Sequence, residues 1–314
     1  MTDSDVQPGS KFSRTIRLDG RLYDLDVSRR VELPPVSPRL VMISHLHTQS
    51  AVELLKTSLM AVRRFTAEPH EMWVVDNNSP RENLTWLEAW PDVNLILNRT
   101  EPLPPTVTEA NRLPNDCLNQ LDWGSYANAI GLELAVRVID PDSRLLMLLH
   151  MDAVPCKSGW LSFLRSKLTA DPNEKRLNNR GVAAAGVRMD RVRNPEGVLH
   201  VLGFMVDFQI FRKCNLDFFP DLPDLDVGDR VTVELRKGGY QVFACSNTLW
   251  NPELINNIPL SSPWRDLHVD RSFDDEGDVF FVHLGRGVRK SCGENTKGTD
   301  VQQWIRVVLS NLYA

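Results

Sequence analysis

The segment RLLMLLHMDA ends an apolar run with two side chains that bind metals. His150 and Asp152 alternate along the chain, so on a strand both would point to the same side. An imidazole nitrogen and a carboxylate oxygen placed in this way suit a divalent ion that bridges to phosphate oxygens. A satisfied histidine and a turn-forming aspartate before Pro155 are the simpler alternative.

Two further apolar runs end on groups that suit a nucleotide. Asp76 ends VVDNNS, where a carboxylate would accept hydrogen bonds from a base or a ribose, although a plain turn explains the segment equally well. His283 ends VFFVHLG, and the basic stretch GRGVRKS follows it. Its cations Arg286, Arg289 and Lys290 would neutralise a diphosphate, and an ordinary exposed basic loop is the alternative.

Asp226 and Asp229 lie three residues apart at the start of a predicted helix, so both carboxylates project from one turn. They suit a general base and its positioning partner, and they equally suit the acids that any helix start favours. Because the first residue of such a turn tends to cap backbone N–H groups, we expect Asp229 to reach the cleft as the base and Asp226 to support it.

The candidate site residues must be positioned by the predicted strands and helices. Short apolar runs alternate here with segments whose apolar residues recur at the spacing of a helix. RLVMIS, MWVVD, VNLILN and RLLMLLHMDA predict buried strands of a parallel sheet with helices on both faces. Ligands bind beyond the carboxyl ends of such strands, at residues 44–48, 76–79 and 150–152. In the second half, VLGFMVDFQIF predicts a strand and DRVTVELRKGG a helix. Capping patterns predict helix starts at Ser50-x-x-Glu53, Ser79-Pro80-Arg81-Glu82 and Thr299-x-x-Gln302.

The first 38 residues differ from the rest of the chain. Asp19-Gly20 between TIRL and RLYDLDV predicts a hairpin, and three prolines within residues 34–38 predict an extended linker. We interpret residues 1–38 as an N-terminal extension and linker.

Composition narrows the class of protein. The chain has 314 residues, 42% of them hydrophobic, and a net charge of −5, which excludes a disordered chain and argues against a nucleic-acid partner. Its 5 cysteines form no C-x-x-C pair, which indicates free thiols in a reducing compartment. Without a signal-peptide core or a run long enough to span a membrane, we expect a soluble, cytoplasmic protein.

Taken in order, these landmarks resemble those of glycosyltransferase family 2, inverting enzymes of the GT-A fold. The likeness runs from about Arg39 to Ser291 through VMISHLHTQSAVELLKTSLMAV, MWVVDNNSPREN, GSYANAIGLELA, LLMLLHMDAVPCKSGWL, DVGDRVTVELRKGGYQV and VHLGRGVRKS. It implies an α/β, Rossmann-like fold with a mostly parallel sheet. It also implies a nucleotide-sugar-binding half over 39–155, an acceptor-binding and catalytic half over 156–291, and a C-terminal helix over 292–314.

The resemblance assigns a role to each candidate residue. The base would be Asp226 or Asp229, Asp76 would bind the nucleotide, and Trp160 would line the acceptor side. His150 replaces the first acid of the family's D-x-D motif, and D-V-G-D replaces its E-D pair. The expected ligands of a divalent ion, Mn²⁺ or Mg²⁺, are His150, Asp152 and His283. Further contacts to the nucleotide sugar are expected from Ser44, His45, Asn78, Asn128, His150, Met151, Arg286 and Arg289.

The implied reaction transfers a sugar with inversion from a nucleotide-diphosphate sugar to a carbohydrate or another hydroxyl acceptor. The oligomeric state stays open. One alternative is a metal-dependent hydrolase on a (β/α)₈ barrel that uses His45 and His47 at the end of the first strand. Another is a glycosyltransferase-like binding module that has lost its activity, for which the exchange at His150 is the argument.

Overall fold

The computed structural model describes residues 9–104, 121–173, 180–188, 196–293 and 298–313, and only the backbone over 121–123. Its strands are β1 (Ser10–Leu18), β2 (Arg21–Arg29), β3 (Arg39–Ser44), β4 (Glu71–Asn77), β5 (Val93–Asn98), β6 (Leu145–His150), β7 (Ala153–Pro155), β8 (Val182–Arg188), β9 (Leu199–Asp207), β10 (Gln241–Cys245), β11 (Asp270–Phe273) and β12 (Val279–His283). Its α-helices are α1 (Gln49–Phe65), α2 (Thr85–Glu88), α3 (Leu121–Val138), α4 (Trp160–Lys167), α5 (Phe208–Lys213), α6 (Asp229–Lys237), α7 (Gly287–Ser291) and α8 (Val301–Tyr313).

A nine-stranded sheet in the order β1-β2-β5-β4-β3-β6-β9-β8-β10 forms the centre of the molecule. Strands β3 to β6 are parallel to one another, while β2 and β9 run opposite to the other seven strands. A second sheet, β11-β12-β7, is antiparallel. The predicted α/β fold with a mostly parallel sheet is confirmed, and the (β/α)₈ barrel of the hydrolase alternative is wrong because this sheet is open.

Helices cover both faces of the large sheet because its strands are apolar on both sides. Along β3, Met42 packs with α1, α4 and α8 on one face, and its neighbour Val41 packs with α3, α5 and α6 on the other. This alternation follows from the two-residue period of a strand. Among the described residues, no helix combines the length and the apolarity needed to cross a lipid bilayer.

The predicted N-terminal hairpin is present and belongs to the large sheet. Asp19 and Gly20 turn the chain with φ of 47° and 80°, a conformation that glycine adopts freely and aspartate tolerates. β1 pairs with β2, and β2 pairs with β5. The hairpin of the predicted N-terminal extension therefore adds two strands, β1 and β2, to the large sheet.

Two of the predicted helix caps are displaced. Thr48, two residues before Ser50, caps α1. Asp300 caps α8, while the neighbouring Thr299 hydroxyl accepts the N–H of His268. The capping chemistry was predicted correctly, but the residue that performs it depends on contacts with distant loops.

The helix predicted from Ser79-Pro80 is reduced to a 3₁₀ turn (Arg81–Asn83) and the single turn α2. The Ser79 hydroxyl donates to Asp76 and accepts the N–H of Leu46, so it does not cap. In the second half, the predicted strand VLGFMVDFQIF ends early, since the Asp207 carboxylate accepts the N–H of Ile210 and opens α5.

An ion pair between Arg39 and Glu71 anchors the linker to the first residues of β3 and β4. Both side chains are fully buried, with 3.3 Å between the Arg39 Nη2 and Glu71 Oε1 atoms. The guanidinium also donates to the carbonyls of Leu33, Pro34 and Ser37. Burying this pair requires every polar partner to be in place, so removing one charge leaves the other uncompensated.

We predict that Glu71→Gln lowers the free energy of unfolding by about 3 to 5 kcal/mol, the range for breaking a buried ion pair. Asp92→Asn is the control, because its pair with Arg63 is exposed, and exposed pairs contribute about 0 to 1 kcal/mol. Urea denaturation of both variants measures the difference. Equal losses in the two variants would contradict the role assigned to the buried pair.

Candidate active site

The carboxyl ends of β3, β4 and β6 meet at one edge of the large sheet. Because β4 and β6 lie on opposite sides of β3, the chain reverses its direction of progress here, and ligands bind at such a switch point. The second sheet closes the edge, since β7 follows β6 directly and its Ala153 pairs with His283 at the end of β12. β6 and β12, which are far apart in the sequence, therefore end at the same place.

His150, Asp152 and His283, the three expected metal ligands, form one cluster. One ligand atom from each lies within 4.8 Å of the others. The His150 Nδ1 and Asp152 Oδ1 atoms are 3.9 Å apart, and the His283 Nε2 and Asp152 Oδ2 atoms are 3.4 Å apart. Nitrogen and carboxylate ligands of a bound ion lie about 2.0 to 2.2 Å from it, so this donor set fits one divalent cation.

The charges of this cluster stabilise one another. Burial disfavours the imidazolium form of His283, but the carboxylates of Asp152 and Asp270 outweigh that effect and raise the pKa of His283 to about 10. Burial would raise the pKa of Asp152, yet His283, His150 and the Gly287 N–H hold it well below its ordinary value. An imidazolium between two carboxylates therefore occupies the centre of the cluster.

Gly287, the first residue of α7, approaches Asp152 too closely for any side chain. A Cβ atom at this position would lie 2.4 Å from the Asp152 Cβ atom. The close approach lets the Gly287 N–H donate to Asp152 Oδ2 over 2.8 Å. The Gly287 N–H thus holds the Asp152 carboxylate in place. The stretch predicted as a basic loop is partly helical.

Asn128 on α3 orients the ring of His150. Its Nδ2 atom lies 2.8 Å from His150 Nε2, and its Oδ1 atom is buried without a partner. Burial lowers the pKa of His150 to about 4, so the ring is neutral. If the amide oxygen and nitrogen of Asn128 exchange places, Oδ1 accepts the hydrogen on His150 Nε2. The unprotonated His150 Nδ1 atom then faces Asp152 as the nitrogen that can bind a metal.

His200 near the start of β9 is a further member of this region that the sequence analysis missed. Its ring centroid is 5.2 Å from that of His150. Its Nδ1 atom accepts the N–H of Leu202, so the neutral ring carries its hydrogen on Nε2. Burial lowers the pKa of His200 well below its ordinary value. The sequence offered only a histidine next to an apolar run as a signal.

Asp226 and Asp229 differ in burial and hydrogen bonding, and the choice of the base between them stays a prediction. Asp229 is fully buried, and its Oδ2 atom accepts the backbone N–H of Asp226 over 2.7 Å. Burial raises the pKa of Asp229 to about 7, and its Oδ1 atom has no hydrogen-bond partner. Asp226 is only partly buried and is one of the charges that act on His150. Asp229 therefore fixes the turn, while the Asp226 carboxylate accepts the N–H of Val227 and stays partly exposed.

Asp76 organises the turns rather than presenting a free carboxylate. It is fully buried and accepts hydrogen bonds from the Ser44 hydroxyl and from the backbone and hydroxyl of Ser79. Burial raises the pKa of Asp76, and these hydrogen bonds oppose that shift. The contacts expected from Asp76 and Ser44 with a nucleotide stay predictions. Asn78 is exposed beside them with φ of 61°.

Met151 and Trp160, two other residues expected at the site, have their side chains in the hydrophobic core, and the contacts expected from them stay predictions. Met151 points away from the cluster into the apolar layer beneath α1, α4 and α8. Trp160, expected on the acceptor side, lies in the same layer, where its indole N–H donates to the Thr66 hydroxyl. Arg286 is exposed, and Arg289 is half-buried on α7. The contacts expected from these two arginines stay predictions.

His45 and His47 lie against each other at the end of β3, with ring centroids 3.8 Å apart. Burial and the neighbouring His47 lower the pKa of His45 to about 4. Among the residues that the structure describes, neither ring belongs to a group of three metal-binding side chains. The pair therefore gives no support to the hydrolase alternative, and the contact of His45 with a nucleotide stays a prediction.

Comparisons with known proteins give matches among solved structures. No protein-family model and no curated protein matches the chain. The mannosyltransferase PcManGT from Pyrobaculum calidifontis, in complex with GDP-Man and Mn²⁺, is 13% identical over 88% of this chain and 69% of its own, with a TM-score of 0.44. The galactosyltransferase LgtC, in complex with donor and acceptor sugar analogues, is 13% identical over 87% of this chain and 95% of its own, with a TM-score of 0.49.

A Drosophila β1,4-galactosyltransferase 7 mutant, in complex with manganese, UDP-Gal and xylobiose, is 12% identical over 67% of this chain and 65% of its own, with a TM-score of 0.31. At these identities and TM-scores, no residue of this chain acquires a role from any of the three structures.

We predict a pH-dependent effect of His283→Gln on the stability of the metal-free protein. The folded-state pKa of about 10 is above the ordinary value of 6.5, so the charged ring contributes stability that is complete below about pH 6.5 and is lost as the pH rises toward 10. Urea denaturation in EDTA should therefore show a loss of stability in the variant that is largest near pH 6 and shrinks toward pH 10. A loss that does not change over this range would contradict the charged state assigned to His283.

Proposed function

We propose that this protein is a metal-assisted glycosyltransferase that moves a sugar, with inversion, from a nucleotide-diphosphate sugar to an acceptor hydroxyl. The observation that carries the proposal is the cluster of His150, Asp152 and His283 at the switch point of the sheet. Metal ligands and a carboxylate at one sheet edge are what a displacement with a diphosphate leaving group requires. The sequence resemblance from about Arg39 to Ser291 supports the same reaction.

The three cluster residues would hold the ion through two imidazole nitrogens and one carboxylate. Two of the three ligands are imidazole nitrogens, which transition-metal ions accept more readily than Mg²⁺, so of the two expected ions we favour Mn²⁺. When bound, a divalent cation offsets the negative charge that develops on a leaving diphosphate. Arg286 just before α7 and Arg289 on α7 would add positive charge for a diphosphate.

Asp226 is the proposed general base. It takes the proton from the acceptor hydroxyl as that oxygen attacks the anomeric carbon, on the face opposite the leaving diphosphate. Asp229 positions it, because the buried Asp229 carboxylate holds the Asp226 backbone N–H. His200 adds a neutral ring beside His150, with its Nε2–H available to an oxygen of the substrate.

Ligand-induced stabilisation tests the metal and the donor together. With Mn²⁺ present, we expect at least one nucleoside diphosphate to stabilise the wild-type protein, by about 2.7 kcal/mol at a ligand concentration one hundred times its Kd. Asp152→Asn should abolish this stabilisation. Asp278→Asn is the matched control, because Asp278 lies in the other acidic group of the described chain, which is exposed and bonded to Lys157.

The same samples are incubated with the corresponding nucleotide sugars, and release of the nucleoside diphosphate is measured. Stabilisation that survives Asp152→Asn would remove the metal from this cluster. Binding of a nucleoside diphosphate without turnover of any nucleotide sugar would favour the inactive binding module instead.

A comparison of two isosteric variants tests the base. Asp226→Asn should lower kcat by about 10² to 10⁴, the usual cost of losing a general base, and leave the KM for the donor nearly unchanged. Asp229→Asn should retain most of its activity, because an amide oxygen still accepts the Asp226 N–H. If Asp229 were the base instead, it would be the inactive variant, and wild-type kcat would fall below about pH 7, to which burial raises its pKa.

A further inference from the structure

Strand β11 begins with Asp270, which is not one of the three candidate metal ligands. In the antiparallel pairing of β11 with β12, Asp270 lies directly opposite His283. Residues that lie opposite each other in such a pair share one face of the sheet, and their side chains can touch. The register of the second sheet therefore brings the Asp270 carboxylate to the candidate ligand at the end of β12.

The Asp270 carboxylate and the Asp152 carboxylate contact different nitrogens of the His283 ring. The Asp270 Oδ2 atom lies 3.3 Å from His283 Nδ1, and the Asp152 Oδ2 atom lies 3.4 Å from His283 Nε2. Because an ionised carboxylate only accepts hydrogen bonds, its bond to Nδ1 requires a hydrogen on that nitrogen. Asp270 thus holds a hydrogen on Nδ1 and keeps Nε2 directed at Asp152.

The contact of Asp270 with His283 is not forced by burial of the carboxylate. The Asp270 side chain is 33% exposed, so water could solvate it in the absence of the histidine. Lys290 is close enough for its charge to be felt, but its ammonium group donates to the carbonyls of Leu284 and Thr299. Across the part of the chain that the structure describes, the His283 ring is the hydrogen-bond partner of the Asp270 side chain.

Each of the other two candidate ligands also has an outer partner. The Asn128 side chain lies beside the His150 ring, and the Gly287 N–H donates to the Asp152 carboxylate. Hydrogen bonds of this kind orient the ligands of metal sites in proteins, and for a histidine they fix which nitrogen is free to bind. Asp270 adds the third such partner.

We propose that Asp270 is a positioning residue of the metal centre, which makes Nε2 the nitrogen through which His283 binds a divalent cation. The inference rests on the metal cluster of the proposed function. His283 gives up the hydrogen on Nε2 to the solvent when it binds the cation, while the hydrogen on Nδ1 stays bonded to Asp270. This bond keeps the ring from turning over to present Nδ1 instead.

The affinity for Mn²⁺ alone tests this role, and the electron paramagnetic resonance of the free ion measures it. We expect Asp270→Ala to weaken binding by about tenfold to a hundredfold, the usual cost of losing an outer partner of a metal ligand. Asp270→Asn should recover most of that loss, because its amide oxygen still accepts the hydrogen on Nδ1. Asp266→Ala is the matched control and should bind like the wild type, since it removes an equal charge from an exposed position just before β11.

A second measurement identifies the bound nitrogen directly. Protein with isotopically labelled histidine nitrogens is loaded with Zn²⁺, a diamagnetic ion that accepts imidazole and carboxylate ligands, and the rings are observed by nuclear magnetic resonance. The signals that are missing from His283→Gln belong to His283. We expect a hydrogen on Nδ1 and zinc on Nε2 in the wild type. Zinc on Nδ1 would overturn the proposal.

The outcomes separate this inference from the proposed function. If the wild type binds no Mn²⁺, both are wrong. If Asp270→Ala binds Mn²⁺ as tightly as the wild type, or if Asp270→Asn loses as much affinity as Asp270→Ala, only the positioning hydrogen bond is wrong. If the expected affinities are found but no nucleotide sugar is turned over, the positioning role is supported and the transferase reaction is not. Circular dichroism and thermal melting verify that each variant folds.

Discussion

The candidate site depends on one buried carboxylate, that of Asp152. A charge that is removed from water costs several kcal/mol unless neighbouring groups compensate for it. Here the compensation comes from His283 at the end of β12 and from the Gly287 N–H at the start of α7. Because both partners belong to the segment after β11, the Asp152 carboxylate ties the second sheet to the edge of the first. This contact between the two sheets sets the positions of the candidate metal ligands.

Two other buried acids act in the same way at this edge. Asp76 holds the turns after β3 and β4 through Ser44 and Ser79. Asp229 holds the turn that carries Asp226. In each case a carboxylate accepts hydrogen bonds from the turn beside it, so the turn is fixed before any ligand arrives. A preorganised turn places its neighbour, the exposed Asn78 or the partly buried Asp226, at little further cost in entropy.

Buried charges also act at the opposite end of the sheet. There Arg39 and Glu71 pair with each other, and Arg39 donates to carbonyls of the linker. These charges hold the linker against the first residues of β3 and β4, where no candidate ligand lies.

The sequence by itself determined the strands, the mostly parallel sheet and the shared direction of His150 and Asp152, while the family resemblance supplied His283 as the third ligand. Apolar runs of strand length specify two-sided burial, and the alternation His-x-Asp at a strand end specifies a shared direction; both are local properties. Only the tertiary structure decided which partners each buried aspartate has. Their own turns hold Asp76 and Asp229, whereas the partners of Asp152 come from the distant β12 and α7. His200 was not predicted, because its proximity to His150 comes from the antiparallel pairing of β9 with β6, a contact between segments 50 residues apart that no local pattern records.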